Sequence, residues 1–207
     1  MPLRLLHLGD SYTIGEGVAS HERWPEQLAA RLRAEGLDLD PPRIIATTGW
    51  TTAELAAAID ADPPAGPYDL VTLLIGVNDQ YRGLPADATY RGRIDSLLRR
   101  AVSFAVGDAR RVIVLSIPDW GVTPFAAGRD RAAIAAAIDA FNAVNRAAAE
   151  AAGAGWLDVT AVSREAAADP ALLAADGLHP SAAMYARWVD LLLPRVRAVL
   201  QPAAPGS

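Results

Sequence analysis

The sequence predicts an α/β protein, a five-stranded parallel sheet held between two layers of helices in a three-layer α/β/α sandwich. Three observations predict it. Short apolar, β-branched runs alternate along the chain with longer segments of helical period. Two of those runs, 70–75 (LVTLLI) and 112–117 (VIVLSI), are apolar almost without interruption, as central strands covered on both faces must be. No repeat or internal linker divides the 207 residues, enough for one well-cored domain and short for two.

The first strand is expected at 3–8 (LRLLHL), the second at 43–47 (RIIAT), the third and fourth at the two apolar runs, and a weaker fifth at 155–159. Helical periods fill the gaps. Trp24, Leu28 and Leu32 recur every four residues, with Pro25 acceptable in a first turn. Tyr90, Ile94, Leu97, Leu98, Ala101, Val102 and Ala105 form one apolar stripe, and Ile134, Ile138, Phe141, Asn145 and Ala148 another. The last helix carries Tyr185, Trp188, Val189, Leu192, Val196 and Val199 and is expected to bend or break near Pro194. Residues 62–66 (DPPAG) mark a turn before the third strand. One domain is expected over 1–200, with 201–207 (QPAAPGS) a disordered tail.

Composition narrows the chemistry. The chain has no cysteine, which excludes disulfides, thiolate nucleophiles and Cys-ligated zinc. All 19 basic residues are Arg, so Schiff bases, Ser-Lys dyads and the lysine of a phosphate-binding loop are excluded too. A net charge of -5 argues against a nucleic-acid or anionic-membrane partner. No apolar run approaches the roughly 20 residues of a membrane-spanning helix. Nothing before Gly9 reads as a leader peptide, so the expected location is cytoplasmic, unless a leader precedes the numbering.

In a parallel sheet, ligands bind beyond the carboxyl ends of the strands, so the residues there are the place to seek chemistry. They are Gly9-Asp10-Ser11, Thr48-Gly49-Trp50, Gly76-Val77-Asn78-Asp79 and Pro118-Asp119-Trp120. A serine nucleophile needs a neutral imidazole to take its proton, and the imidazole needs a carboxylate to fix its tautomer. Asp176-Gly177-Leu178-His179-Pro180 offers both, because a turn at Asp176-Gly177 can bring carboxylate and ring to one side of a loop. The tetrahedral intermediate of acyl transfer needs donors for its oxyanion. The N–H groups of Ser11 and Gly49 and the neutral side-chain amide of Asn78 can converge there if their strands are neighbours. Of the other histidines, His7 alternates with apolar residues and reads as a hydrogen-bonded core residue, and His21 as solvated. Asp10 and Asp79 are expected to hold their loops by accepting backbone N–H bonds.

In these blocks the sequence resembles the SGNH (GDSL-like) hydrolases. Gly9-Asp10-Ser11-Tyr12 matches their first block, Gly49 their second, Gly76-Val77-Asn78-Asp79 their third and Asp176-Gly177-Leu178-His179-Pro180 their last. Tyr12 departs from the Leu of the eponymous motif, and Trp50 is bulky beside the glycine. The resemblance implies a flavodoxin-like sheet of strand order 2-1-3-4-5 and cofactor-free hydrolysis of esters or thioesters. It makes Ser11 the nucleophile, His179 the base and Asp176 its orienting acid, with Ser11, Gly49 and Asn78 as oxyanion donors.

Tyr12, Trp50, Tyr81, Trp120 and Phe125 fall in loops on the same face and are candidate substrate contacts, which would make an apolar cleft for a short acyl or aryl group. Residues 119–129 could form a partial lid, and Arg82 either meets an anionic substrate group or pairs with a surface carboxylate. Two rivals compete with the esterase. Asp10, Asp79 and Asp119 could hold Mg²⁺ in a phosphohydrolase, or the fold could serve a non-catalytic ligand-binding module.

Overall fold

In a computed structural model that describes residues 1–200, five parallel strands form one sheet in the order β2-β1-β3-β4-β5. The expected tail at 201–207 lies outside the described residues. The strands are β1 (Leu5–Gly9), β2 (Arg43–Ala46), β3 (Leu70–Leu74), β4 (Val112–Leu115) and β5 (Gly155–Leu157). Around them lie α1 (Ser11–Ile14), α2 (Trp24–Ala34), α3 (Thr52–Ala61), α4 (Val77–Tyr81), α5 (Ala88–Phe104), α6 (Arg131–Ala152), α7 (Thr160–Ser163) and α8 (Ala182–Leu200). Helix α2 packs on α8, and α5 on α3 and α6, as the two layers of a flavodoxin-like sandwich. Among the described residues, no helix is long and apolar enough to cross a membrane.

The three central strands β1, β3 and β4 are buried along their whole length, which is why their sequences are apolar apart from His7 and Thr72. The one polar side chain pointing into the core from β1 is His7, fully buried and hydrogen-bonded through Nδ1 to Thr72 Oγ1 at 2.8 Å. Burial, then the nearby Arg23 cation, lowers its pKa to about 3, so the ring stays neutral.

Strand ends differ from the sequence expectation where side chains intercept the ladder. Leu3 pairs outside the sheet with Leu39, so β1 begins later than expected. The Ile117 N–H goes to Asn142 Oδ1 of α6 (2.8 Å) and the Val159 N–H to Ser116 Oγ (2.7 Å), which stops β4 and β5 short. Helix α8 does not break at Pro194 but runs through it, with Leu192, Leu193 and Val196 buried on either side. Their burial offsets the backbone hydrogen bond that proline cannot make.

The register of the central strands positions everything that follows. Gly9 at the end of β1 stands opposite Ala46 of β2 and Leu74 of β3, so three strands stop at one level. The chain leaving each must turn at the same edge.

One strained residue lies far from that edge. Val106, after α5, is 67% exposed and has φ 60°. A β-branched side chain is poorly suited to this left-handed region, whereas Asn tolerates it. Val106→Asn should therefore stabilise the protein by about 0.5–1 kcal/mol, raising the thermal midpoint by roughly 1–4 °C in calorimetry.

Candidate active site

Helix α1 starts directly after β1. Asp10 caps it, its Oδ1 accepting the Tyr12 N–H at 3.0 Å, which leaves Ser11 as the first helical residue with its own N–H free of any protein acceptor among the described residues. Asp10 is fully buried and its Oδ2 has no partner. Burial pushes its pKa up to about 8, against the opposing pull of the Tyr12 N–H.

The Asp176–His179 loop is a self-contained unit. Asp176 Oδ1 accepts the N–H groups of Leu178 (2.9 Å) and His179 (3.0 Å), and Oδ2 lies 2.6 Å from His179 Nδ1. Burial works against the charge of Asp176, but these hydrogen bonds, that of the imidazole foremost, outweigh it and hold the carboxyl below its ordinary value. The loop is closed beneath by the Ala174 N–H on the His179 carbonyl at 2.8 Å. With Nδ1 bound to the carboxylate, Nε2 is the ring nitrogen left for chemistry.

The loop after β2 is a turn closed by the Trp50 N–H on the Thr47 carbonyl (3.2 Å), with Gly49 at φ 87°. A positive φ at this third position is the mark of a type II turn and favours glycine. The turn is braced from α4. The Trp50 carbonyl accepts Asn78 Nδ2 at 2.9 Å and the Gly49 carbonyl accepts Arg82 Nη2 at 2.7 Å. Asp79 takes the Thr52 N–H (2.8 Å) and hydroxyl (2.7 Å), fixing the start of α3. The Gly49 N–H has no protein acceptor among the described residues.

These loops meet around a cavity of about 160 Å³ lined by Ser11, Tyr12, Thr48, Gly49, Val77, Asn78, Tyr81, Trp120, Phe125, Leu178 and His179. The structure thus brings four of the five residues singled out in the sequence, Ser11, Gly49, Asn78 and His179, to the cavity wall, with the fifth, Asp176, bonded to His179 behind it. Four of the five candidate aromatic contacts line it as well. Trp50 does not: it packs half-buried against the core, because the turn at Gly49 and the start of α3 direct it away. Segment 119–129 is two short helical turns, tied to the histidine loop by the Phe125 N–H on the Gly177 carbonyl at 3.2 Å.

The profile of the GDSL-like lipase/acylhydrolase family matches residues 7–187. The chain belongs to that family. No curated protein matches the sequence. Among solved structures, TesA is 25% identical, covering 95% of this chain and 99% of its own, with a TM-score of 0.73. The lipase/acylhydrolase of Enterococcus faecalis is 21% identical over 98% of this chain and 100% of its own, TM-score 0.71. Axe2, an acetylxylan esterase from Geobacillus stearothermophilus, is 22% identical over 94% of each chain, TM-score 0.71. At these identities the last two establish likeness of fold.

The strand-end carboxylates Asp10, Asp79 and Asp119, which the sequence offered as a Mg²⁺ site, are committed separately. Asp10 caps α1. Asp79 binds Thr52 and lies 3.5 Å from Arg93. Asp119 accepts the Gly121 N–H at 2.8 Å and pairs with Arg164 Nε at 2.9 Å. Among the described residues, no group of three or more His, Asp or Glu side chains is placed to hold a metal ion.

Two neighbours of the cavity escape the sequence reading. Arg129 stacks over Tyr81, Trp120 and Phe125, 5.2, 5.4 and 5.5 Å from their ring centroids, and donates to the Tyr81 hydroxyl at 3.2 Å. Nothing in the local sequence signals it, since the contact exists only once the loops fold together. Thr51 and Glu54 form a capping box at α3, with Glu54 Oε2 accepting the Thr51 N–H at 2.8 Å. Its T-x-x-E pattern is legible in advance.

The buried Asp10 carboxyl makes a testable statement about pH. Its pKa is higher folded than unfolded, so above the ordinary carboxylate range the unfolded state ionises while the folded state resists, and stability falls as pH rises toward about 8. Asp10→Asn keeps an acceptor for the Tyr12 N–H and cannot ionise. Urea unfolding should show the variant gaining stability relative to the parent as pH is raised from about 5 to 8.5.

Proposed function

We propose that the protein is a serine esterase that hydrolyses small carboxylic esters through an acyl-enzyme intermediate. The observation that carries this reading is that His179, bonded to Asp176 at 2.6 Å, lines the same cavity as Ser11, Gly49 and Asn78. Membership of the GDSL-like lipase/acylhydrolase family supports the reaction class.

In this reading His179 Nε2 takes the Ser11 hydroxyl proton as Oγ bonds to the acyl carbon. Asp176 holds the proton on Nδ1 and stabilises the imidazolium that forms. The N–H groups of Ser11 and Gly49 and the second amide hydrogen of Asn78 receive the oxyanion. The tetrahedral intermediate collapses with cleavage of the ester C–O bond, and His179 passes its proton to the departing alcohol. Water then attacks the acyl-enzyme, gives a proton to His179, and Ser11 regains it as the acid leaves.

The cavity argues for small acyl groups. Its volume of about 160 Å³ lies below the roughly 300–1,000 Å³ of pockets that enclose drug-sized ligands. Trp120, 3% exposed and anchored by its Nε1–H on Gln80 Oε1 at 2.9 Å, limits its depth. Acetylated sugars are among the substrates this reading admits, as the likeness to an acetylxylan esterase suggests.

On p-nitrophenyl acetate, Ser11→Ala should lose at least about 10³-fold in kcat/KM, and near-normal turnover would end the proposal. Asn78→Ala should lower kcat by roughly 10²–10³-fold; a loss confined to KM would make it a binding residue instead of an oxyanion donor.

A further inference from the structure

We infer that Arg82 is a positioning residue for the oxyanion hole, holding the Gly49 turn in place so that its N–H meets the cavity. This rests on the esterase reading above.

The direction of the Gly49 N–H depends on one peptide plane. In a type II turn the central peptide, here Thr48–Gly49, faces one way; turned over, it gives a type I turn and the N–H faces the other. Gly49 at φ 87° is the type II form. The closing bond of the turn, Trp50 N–H to Thr47 carbonyl, is long at 3.2 Å and is available to either form. That bond does not fix where the turn sits against the cavity, and this placement needs support from outside the turn.

That support comes from one helical face. Asn78 and Arg82 are four residues apart at α4, so their side chains lie on the same side of it. They grip successive carbonyls of the turn, Asn78 Nδ2 that of Trp50 (2.9 Å) and Arg82 Nη2 that of Gly49 (2.7 Å). The side chain that supplies one oxyanion donor thus shares its helix with the side chain that anchors the other, and the spacing between the two donors is fixed by α4. The hydrogen bond from the cationic guanidinium is of the stronger, charge-assisted kind.

Glu54 sets the guanidinium. Its Oε1 lies 3.3 Å from Arg82 Nη1, while Oε2 holds the Thr51 N–H of the capping box. Arg82 and Glu54 side chains are 49% and 45% exposed, so their ion pair contributes little to stability. Its effect is on geometry, and that separates a positioning role from a structural one. Arg is the residue suited to the task, since its planar fork can reach two acceptors at once where an ammonium group is a single point.

The test is steady-state kinetics on p-nitrophenyl acetate, a neutral substrate, with Arg82→Ala, Arg82→Lys and Glu54→Gln. Arg82→Ala should lower kcat by about tenfold to a hundredfold, the scale of a donor misplaced within its site. KM should stay within about twofold and the thermal midpoint should barely move. Arg82→Lys should recover only part of the loss. Glu54→Gln, which preserves the capping box, should show a smaller fall in kcat of the same kind. Asn78→Ala and Arg82→Ala combined should cost less than the product of the single losses, since both act on one oxyanion. Unchanged kcat in Arg82→Ala, or a loss in KM alone, would overturn the assignment while leaving the esterase reading intact. A parent protein without turnover on any simple ester would instead remove the reading beneath it.

Discussion

The alignment of three strand ends at one edge of the sheet is the constraint on which the site depends. Gly9, Ala46 and Leu74 are register partners across β1, β2 and β3, and neighbouring strands lie roughly 4.8 Å apart. Chains leaving such an edge have only a few residues in which to turn, so Ser11, Gly49 and Asn78 emerge side by side. A slip of one residue in β1 would reverse which faces its side chains occupy and carry the Ser11 turn with it. His7 opposes that slip, because turning its ring to the other buried face would cost the 2.8 Å bond of Nδ1 to Thr72 Oγ1 and leave both groups unpaired in the core.

Register alone does not aim donors, and the loops are held by polar side chains that serve the backbone. Asp10 caps α1, Asp79 fixes the start of α3, and Asn142 accepts the Ile117 N–H while donating to the Ile117 carbonyl at 3.1 Å. Tyr90 and Asn145 lie beneath the third loop, the tyrosine hydroxyl donating to Asn145 Oδ1 at 2.9 Å. A tyrosine there also explains Gly76, where any Cβ would fall 2.1 Å from the Tyr90 oxygen. These groups give strand-end backbone its hydrogen-bond partners, and in doing so they hold the cavity wall in place. The histidine loop is different in kind. Its carboxylate and imidazole are three residues apart and orient each other locally, so the pair needs only to be delivered to the cavity. Its bond from Phe125 and the start of α8 do that.

Much of this was legible in the sequence, for reasons that differ from residue to residue. Burial on both faces leaves β3 and β4 almost free of polar residues, so they could be found without knowing their partners. The stripes of α2, α5 and α6 follow from one-sided burial at a period of 3.6. Ser11, Gly49, Asn78 and the Asp176–His179 pair stood out because each follows a strand or a turn in a short motif. What could not be read depended on long-range contact. Arg129 finds its three aromatic rings across separate loops. Trp50 leaves the cavity because the turn at Gly49 and the start of α3, which Asp79 fixes from the next loop, direct it toward the core. The ends of β4 and β5 move because Asn142 and Ser116, remote in sequence, capture their N–H groups. The continuity of α8 through Pro194 is likewise set by the core it packs on and not by its own sequence.

The central claim is that one hydroxyl, at Ser11, is activated by one imidazole, at His179. Peptide mapping by mass spectrometry after treatment with an alkyl fluorophosphonate tests it most directly. The account predicts a single phosphonyl adduct on Ser11, formed quickly in the parent protein and far more slowly in His179→Ala. No adduct, an adduct on another residue, or equal rates in the two proteins would contradict it.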